Sequence, residues 1–138
     1  MKEILNSAVS LSQAQFSDNR LLVAIQAAID KKASNIVVLD LRKIASFTDY
    51  FVICTARASR QVQAIADEVE EQLRKQNSRT SHIEGYQSAE WVLMDYGDFV
   101  VHIFAESARE FYNLERLWRF VEYAAILTYY MISIRITS

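Results

Sequence analysis

Turns constrain this chain more than anything else in it. Its 138 residues include two glycines and no proline, where average usage would give roughly ten and seven. That scarcity excludes collagen-like, Pro-rich and Gly-rich linker architectures. It leaves Gly85 and Gly97 as the two positions where a positive φ carries no Cβ penalty. With 51% hydrophobic and 23% charged residues, intrinsic disorder is also excluded. A single domain of this length buries roughly 68–70% of its unfolded surface and needs no staple. One cysteine makes neither an internal disulfide nor a cysteine-based metal site, and the two histidines, His82 and His102, stand far apart.

The spacing of apolar residues then alternates between two periods. Leu22, Ala24, Ile25 and Ile29 form a helical stripe that Asp18 is placed to cap. Ile36–Leu41 and Tyr50–Thr55 are β-branched runs with little alternation, which predicts strands covered on both faces. Val62, Ile65, Ala66, Val69 and Leu73 return to the helical period, with Ser59 as the expected cap. The polar stretch Asn77–Ser88 reads as a loop. Trp91–Met94 and Phe99–Phe104 predict two more strands, with Gly97 in the tight turn between them. Ser107–Glu110 has capping-box spacing and opens a helix through Phe111, Leu114 and Trp118. The expectation is an α/β fold with a mixed sheet of about four to five strands and flanking helices. The helix between the second and third strands predicts a right-handed crossover, and the last two strands an antiparallel hairpin. Residues 1–19 read as a helical N-terminal extension, 20–118 as the domain and 119–138 as an apolar C-terminal extension.

No leader is visible: Met1–Leu5 holds one Lys and one Glu, and Asn6, Ser7, Ser10 and Ser12 interrupt the apolar stretch after it. Phe120–Ile134, with Glu122 inside it, is too short and polar to span a bilayer. A cytoplasmic protein without membrane contact is expected.

Candidate chemistry is thin. Cys54 sits mid-strand and reads as core, and His102 alternates with Val101 and Ile103 as a hydrogen-bonded structural residue. The strand-to-helix junction Thr55–Ser59 lacks the glycines of a phosphate loop, although Arg57 and Arg60 lie beside it. Basic residues are not interleaved with aromatics, so sequence-specific nucleic-acid binding is not expected. No metal or cofactor site stands out. A nucleotidyltransferase-like enzyme would need Asp40, Asp49 or the pair Asp95 and Asp98 to hold magnesium. The charge distribution is more informative. From Thr80 to Glu115 there are seven carboxylates against one Arg109, although the whole chain carries only −2. Tyr86, Trp91 and Tyr96 lie among Glu84, Glu90, Asp95 and Asp98. Aromatic anchors ringed by carboxylates suit a basic protein partner, and they repel phosphate.

Several segments in fixed order carry a resemblance. Ser46–Ile53 (SFTDYFVI), Arg60–Val62, Ala64–Val69, Glu84–Gly85, Trp91–Asp98 (WVLMDYGD), Val101–Phe104 and Arg109–Trp118 together resemble the ribosomal silencing factor (RsfS, Iojap-like, YbeB-like) family over about residues 20–118. The resemblance implies a nucleotidyltransferase-like core without known catalysis and without a cofactor. It implies binding to the large ribosomal subunit through its fourteenth protein, on the face that meets the small subunit. Subunit joining is then blocked and translation is lowered when nutrients are short. The family's contact surface maps to Trp91, Asp95, Tyr96 and Asp98, and charge and proximity add Glu84, Tyr86 and Glu90. Two departures stand out: Thr55-Ala56 replaces the family's Thr-Gly, and the chain continues past Trp118. The extension leaves a helix on the domain, a partner surface or a homodimer contact open.

Overall fold

The computed structural model describes residues 19–43, 46–109 and 132–136, the last as backbone. The elements are α1 (Asn19–Asp30), β1 (Ser34–Asp40), β2 (Tyr50–Ala56), α2 (Ser59–Lys75), β3 (His82–Glu84), β4 (Trp91–Asp95), β5 (Phe99–Ala105) and β6 (Ile132–Ile136). They build one six-stranded sheet in the order β3-β4-β5-β2-β1-β6. β2 and β5 run parallel, and every other pair is antiparallel. The mixed α/β sheet expected from the sequence is therefore present, with β3 and β6 as the additional strands. The crossover through α2 leads to β5 as the parallel partner of β2, not to the next strand in the chain, since β4 pairs with the far side of β5 and β3 lies beyond it at the edge.

Both described helices cover one face of the sheet. Val62, Ile65, Ala66, Val69 and Leu73 of α2 and Leu21, Ala24, Ile25 and Ala28 of α1 pack on Val38, Val52, Cys54, Val92, Met94, Val101 and Ile103. Each large aliphatic or aromatic side chain buried there stabilises the fold by about 1.5–3 kcal/mol. Strand residues of opposite parity form a second cluster on the other face, from Val37, Leu39, Phe51, Ile53, Val100 and Phe104, with Trp91 and Leu93 partly buried against it.

With so little glycine, both helices end on ordinary residues. Lys32 (φ 62°) and Asn77 (φ 59°) adopt the left-handed conformation. Each closes a Schellman motif: Ala33 N–H donates to Ala28 O and Ser78 N–H to Leu73 O. Gly85 and Gly97 take positive φ as expected. Ser59 is not the cap of α2. Ala58 occupies that position without a side-chain bond. Gln61 acts instead: its Oε1 accepts Arg57 N–H (2.7 Å), and its Nε2 donates to the carbonyls of Lys31 and Lys32 (both 3.0 Å). That brace ties the start of α2 to the end of α1. Residues 106–109 are helical. Asp18, the later part of the helix opened at Ser107 and most of the C-terminal extension lie outside the described residues. Residues 132–136 pair with β1 as an edge strand, Ile134 opposite Val38.

Candidate docking surface

The antiparallel register sorts the acidic segment between the two faces of the sheet. Trp91 lies opposite Phe104, Leu93 opposite His102, and Glu84 opposite Leu93. These residues share the face that the two described helices leave uncovered. Glu84, Gly85, Trp91, Leu93 and His102 line a groove of about 330 Å³ there. Its backbone corner is tight. A Cβ on Gly85 would fall 2.1 Å from the Trp91 carbonyl oxygen, and Gly85 sits at φ +80°. Only glycine fits both conditions.

Trp91 is half-buried. Its indole stacks on Phe104 with ring centroids 5.0 Å apart. Its Nε1–H donates to Nδ1 of His102 at 3.1 Å. The acceptor role of Nδ1 places the remaining imidazole proton on Nε2. His102 is 1% exposed. Burial pushes its pKa down to about 3, so the ring is neutral at ordinary pH. Sequence reasoning places His102 as a structural, hydrogen-bonded residue, which it is, but misses that its partner is Trp91. Leu93 is missed as well. Strict alternation along Trp91-Val92-Leu93-Met94-Asp95 is the available signal: residues 92 and 94 are buried and 91, 93 and 95 half-buried.

The other site residues divide. Glu84 is exposed and pairs with His82 Nε2 at 2.8 Å. Glu90 is exposed beside Trp91, and its carbonyl accepts Ala105 N–H. Asp95 shares the Trp91 side of β4, and its Oδ1 accepts the Gly97 N–H at 2.8 Å, organising the turn. Asp98 is exposed and bridges to Arg20 at 2.6 Å. Tyr86 and Tyr96 lie on the helix side. Tyr86 donates its hydroxyl to Asp67 of α2 at 2.9 Å, and that bond to a carboxylate raises its pKa. Tyr96 is 6% exposed and stacks on Phe99. Burial pushes its phenol up to about 12, with Glu70 adding to the shift. Of the three aromatics expected at a contact, Tyr96 is therefore placed in the core instead, on the side of Val92 and Met94 and over Phe99.

Elsewhere, the side chains offer structure. Cys54 is fully buried and its thiol is pushed up to about 12 by burial, Arg109 opposing. Burial would raise the Asp40 carboxyl, but Arg42 outweighs it and holds the pKa below its ordinary value. Among the described residues no three His, Cys, Asp or Glu side chains gather as a metal site. Nor is any described helix long and apolar enough to cross a membrane.

Comparison with known proteins gives a consistent result. The family model "Ribosomal silencing factor during starvation" matches residues 14–129. Ribosomal silencing factor RsfS of Halalkalibacterium halodurans is 44% identical over 98 residues, which is 71% of this chain and 84% of that protein. The chloroplastic protein Iojap of Zea mays is 35% identical over 116 residues, 84% of this chain and 45% of its own length. A crystal structure of a protein from Chromobacterium violaceum superposes with a TM-score of 0.69 at 36% identity, covering 73% of this chain and 84% of that one. With a family match over most of its length and a fold shared with a solved relative, the chain belongs to the ribosomal silencing factor family.

Proposed function

We propose that this protein binds the large ribosomal subunit through its fourteenth protein and sterically blocks joining of the small subunit. Translation is thereby repressed when nutrients are limiting. The working site is a surface, not a catalytic centre, and it acts in the cytoplasm wherever the two subunits meet. The observation that carries the reading is Trp91, half-buried on the sheet face opposite α1 and α2 with exposed Glu84 and Glu90 beside it. An indole fixed at the centre of such a patch supplies apolar contact at little entropic cost, and flanking carboxylates favour a Lys- and Arg-rich partner. Trp91, Glu84, Glu90 and Asp95 form the contact, with Leu93 extending its apolar part. Asp98 borders it at the turn. Tyr86 and Tyr96 support it from the helix side, Tyr86 by holding the Gly85–Glu90 loop to α2 through Asp67 and Gln63.

Sedimentation with separated ribosomal subunits, followed by a subunit-joining assay, tests the reading. Trp91→Ala is expected to weaken large-subunit binding by about thirtyfold, near 2 kcal/mol, and to restore joining, while circular dichroism stays that of the parent. Undiminished binding by the folded variant overturns the site.

A further inference from the structure

We infer that His102 is a positioning residue of this docking surface: its Nδ1 anchors the Trp91 indole across Phe104 and so decides which part of the ring meets a partner. The inference rests on the docking reading above and deepens it. A Trp side chain has a broad χ2 preference, so a half-buried indole needs something to choose its orientation. Two contacts among the described residues do so. Phe104 stacks against the ring at 5.0 Å, and the Nε1–H bond to His102 at 3.1 Å sets the rotation about that stack. With its N–H engaged by His102, the exposed part of Trp91 offers a visitor ring carbon and not a donor.

His102 is itself held from below. Its ring meets Phe51 edge-on at 4.5 Å. Its cross-strand neighbours are Leu93 and Ile53, and along β5 its face carries Val100 and Phe104. Among the described residues these surroundings are apolar, and its Nε2 is buried with no hydrogen-bond partner. An orphaned buried N–H destabilises the fold, whereas an apolar ring in the same place would not. For folding alone, phenylalanine would serve this position better. Among the described residues its one favourable polar contact is to the indole, and that contact is what an imidazole adds here over an apolar ring. Polar groups kept at a stability cost are expected where function demands them.

The test uses the full chain with purified large ribosomal subunits, and reads affinity, melting temperature and the indole 1H–15N resonance of Trp91, assigned by its loss in Trp91→Ala. His102→Phe is expected to bind about five- to tenfold more weakly with an unchanged or higher melting temperature, and its indole N–H signal shifts as water replaces the imidazole. His102→Asn, whose Oδ1 falls near the place of Nδ1, is expected to return affinity to within about twofold of the parent, whatever its effect on melting. Parent-like binding by His102→Phe overturns the inference, as does a joint fall in melting temperature and affinity that Asn does not reverse. If Phe is not accommodated, His102→Leu takes its place, and failure of both to fold assigns His102 to the core and overturns the inference too. Undiminished binding by Trp91→Ala would instead overturn the docking reading itself.

Discussion

The imidazole of His102 makes acid stability a property of one residue. Its folded pKa lies near 3, against an ordinary value of 6.5. The unfolded chain therefore binds a proton that the folded one refuses. The contribution is complete above about pH 6.5 and is lost as pH falls toward 3. Over roughly pH 6 to 4 stability therefore falls steadily, with close to one proton taken up on unfolding. Asp40, held below its ordinary value of 3.8, loses its contribution only at more acidic pH, so the two windows separate. Urea midpoints measured from pH 7 to 4 should fall steeply for the parent and much less for His102→Phe; parallel slopes would count against a neutral buried ring. At this scale the sequence is half legible. An aromatic among carboxylates singles out Trp91, and strand alternation places His102. That one lies under the other depends on a register between β4 and β5 that residue spacing does not fix. Tyr96 looks like Trp91 in composition but ends up in the core, because it has the parity of buried Val92 and Met94 and so falls on the opposite side of the sheet.

Among the elements, the long periodic segments are readable and the short or edge ones are not. α1, α2 and the four inner strands follow from periods of 3.6 and from β-branched runs. β3 has one apolar residue, Ile83, between two charged or titratable ones, too little for any periodic signal. Ser59 looks like the right cap for α2 locally, whereas Gln61 takes that role by reaching across to the α1–β1 turn. β6 is invisible for another reason: Ile132–Ile136 alternates well enough, but only the unpaired side of β1 gives it a place. This pairing carries a prediction. A chain ending at residue 131 would leave Ile36–Asp40 with a free edge, and free edges recruit other chains. Sedimentation should show a higher mass or aggregation, together with a lower melting temperature than the full chain. A truncated protein that kept the parent's mass and stability would show that β6 is dispensable.

For the whole molecule, charge is less one-sided than the sequence implies. The acidic run is partly answered within the chain, Asp98 by Arg20, while Glu84 takes a contact from His82 Nε2 at 2.8 Å. Exposed ion pairs of this kind add little stability, but they reduce the field a partner meets. Signs are also mixed at both ends of the sheet: Arg42 and Lys43 stand by Asp40, Asp49, Asp95 and Asp98, and Glu90 and Glu106 lie at the end that carries Lys31, Lys32, Arg57 and Arg60. Large-subunit affinity is therefore expected to fall by only about two- to fivefold between low and physiological-to-high salt. A salt-independent affinity would mark the contact as apolar, and a loss of several hundredfold would mark it as charge-driven. The overall architecture is legible because it follows from element order; the allocation of side chains to two faces is not, because it is set by pairing. One contact constrains any future variation of this surface. The hairpin leading into β4 closes with hydrogen taking the place of a methyl group, 2.1 Å from the carbonyl of the very tryptophan that faces outward. Rim charges can drift to suit a changing neighbour, but the depth of the recess and the pitch of its wall are set by main chain and admit no gradual adjustment.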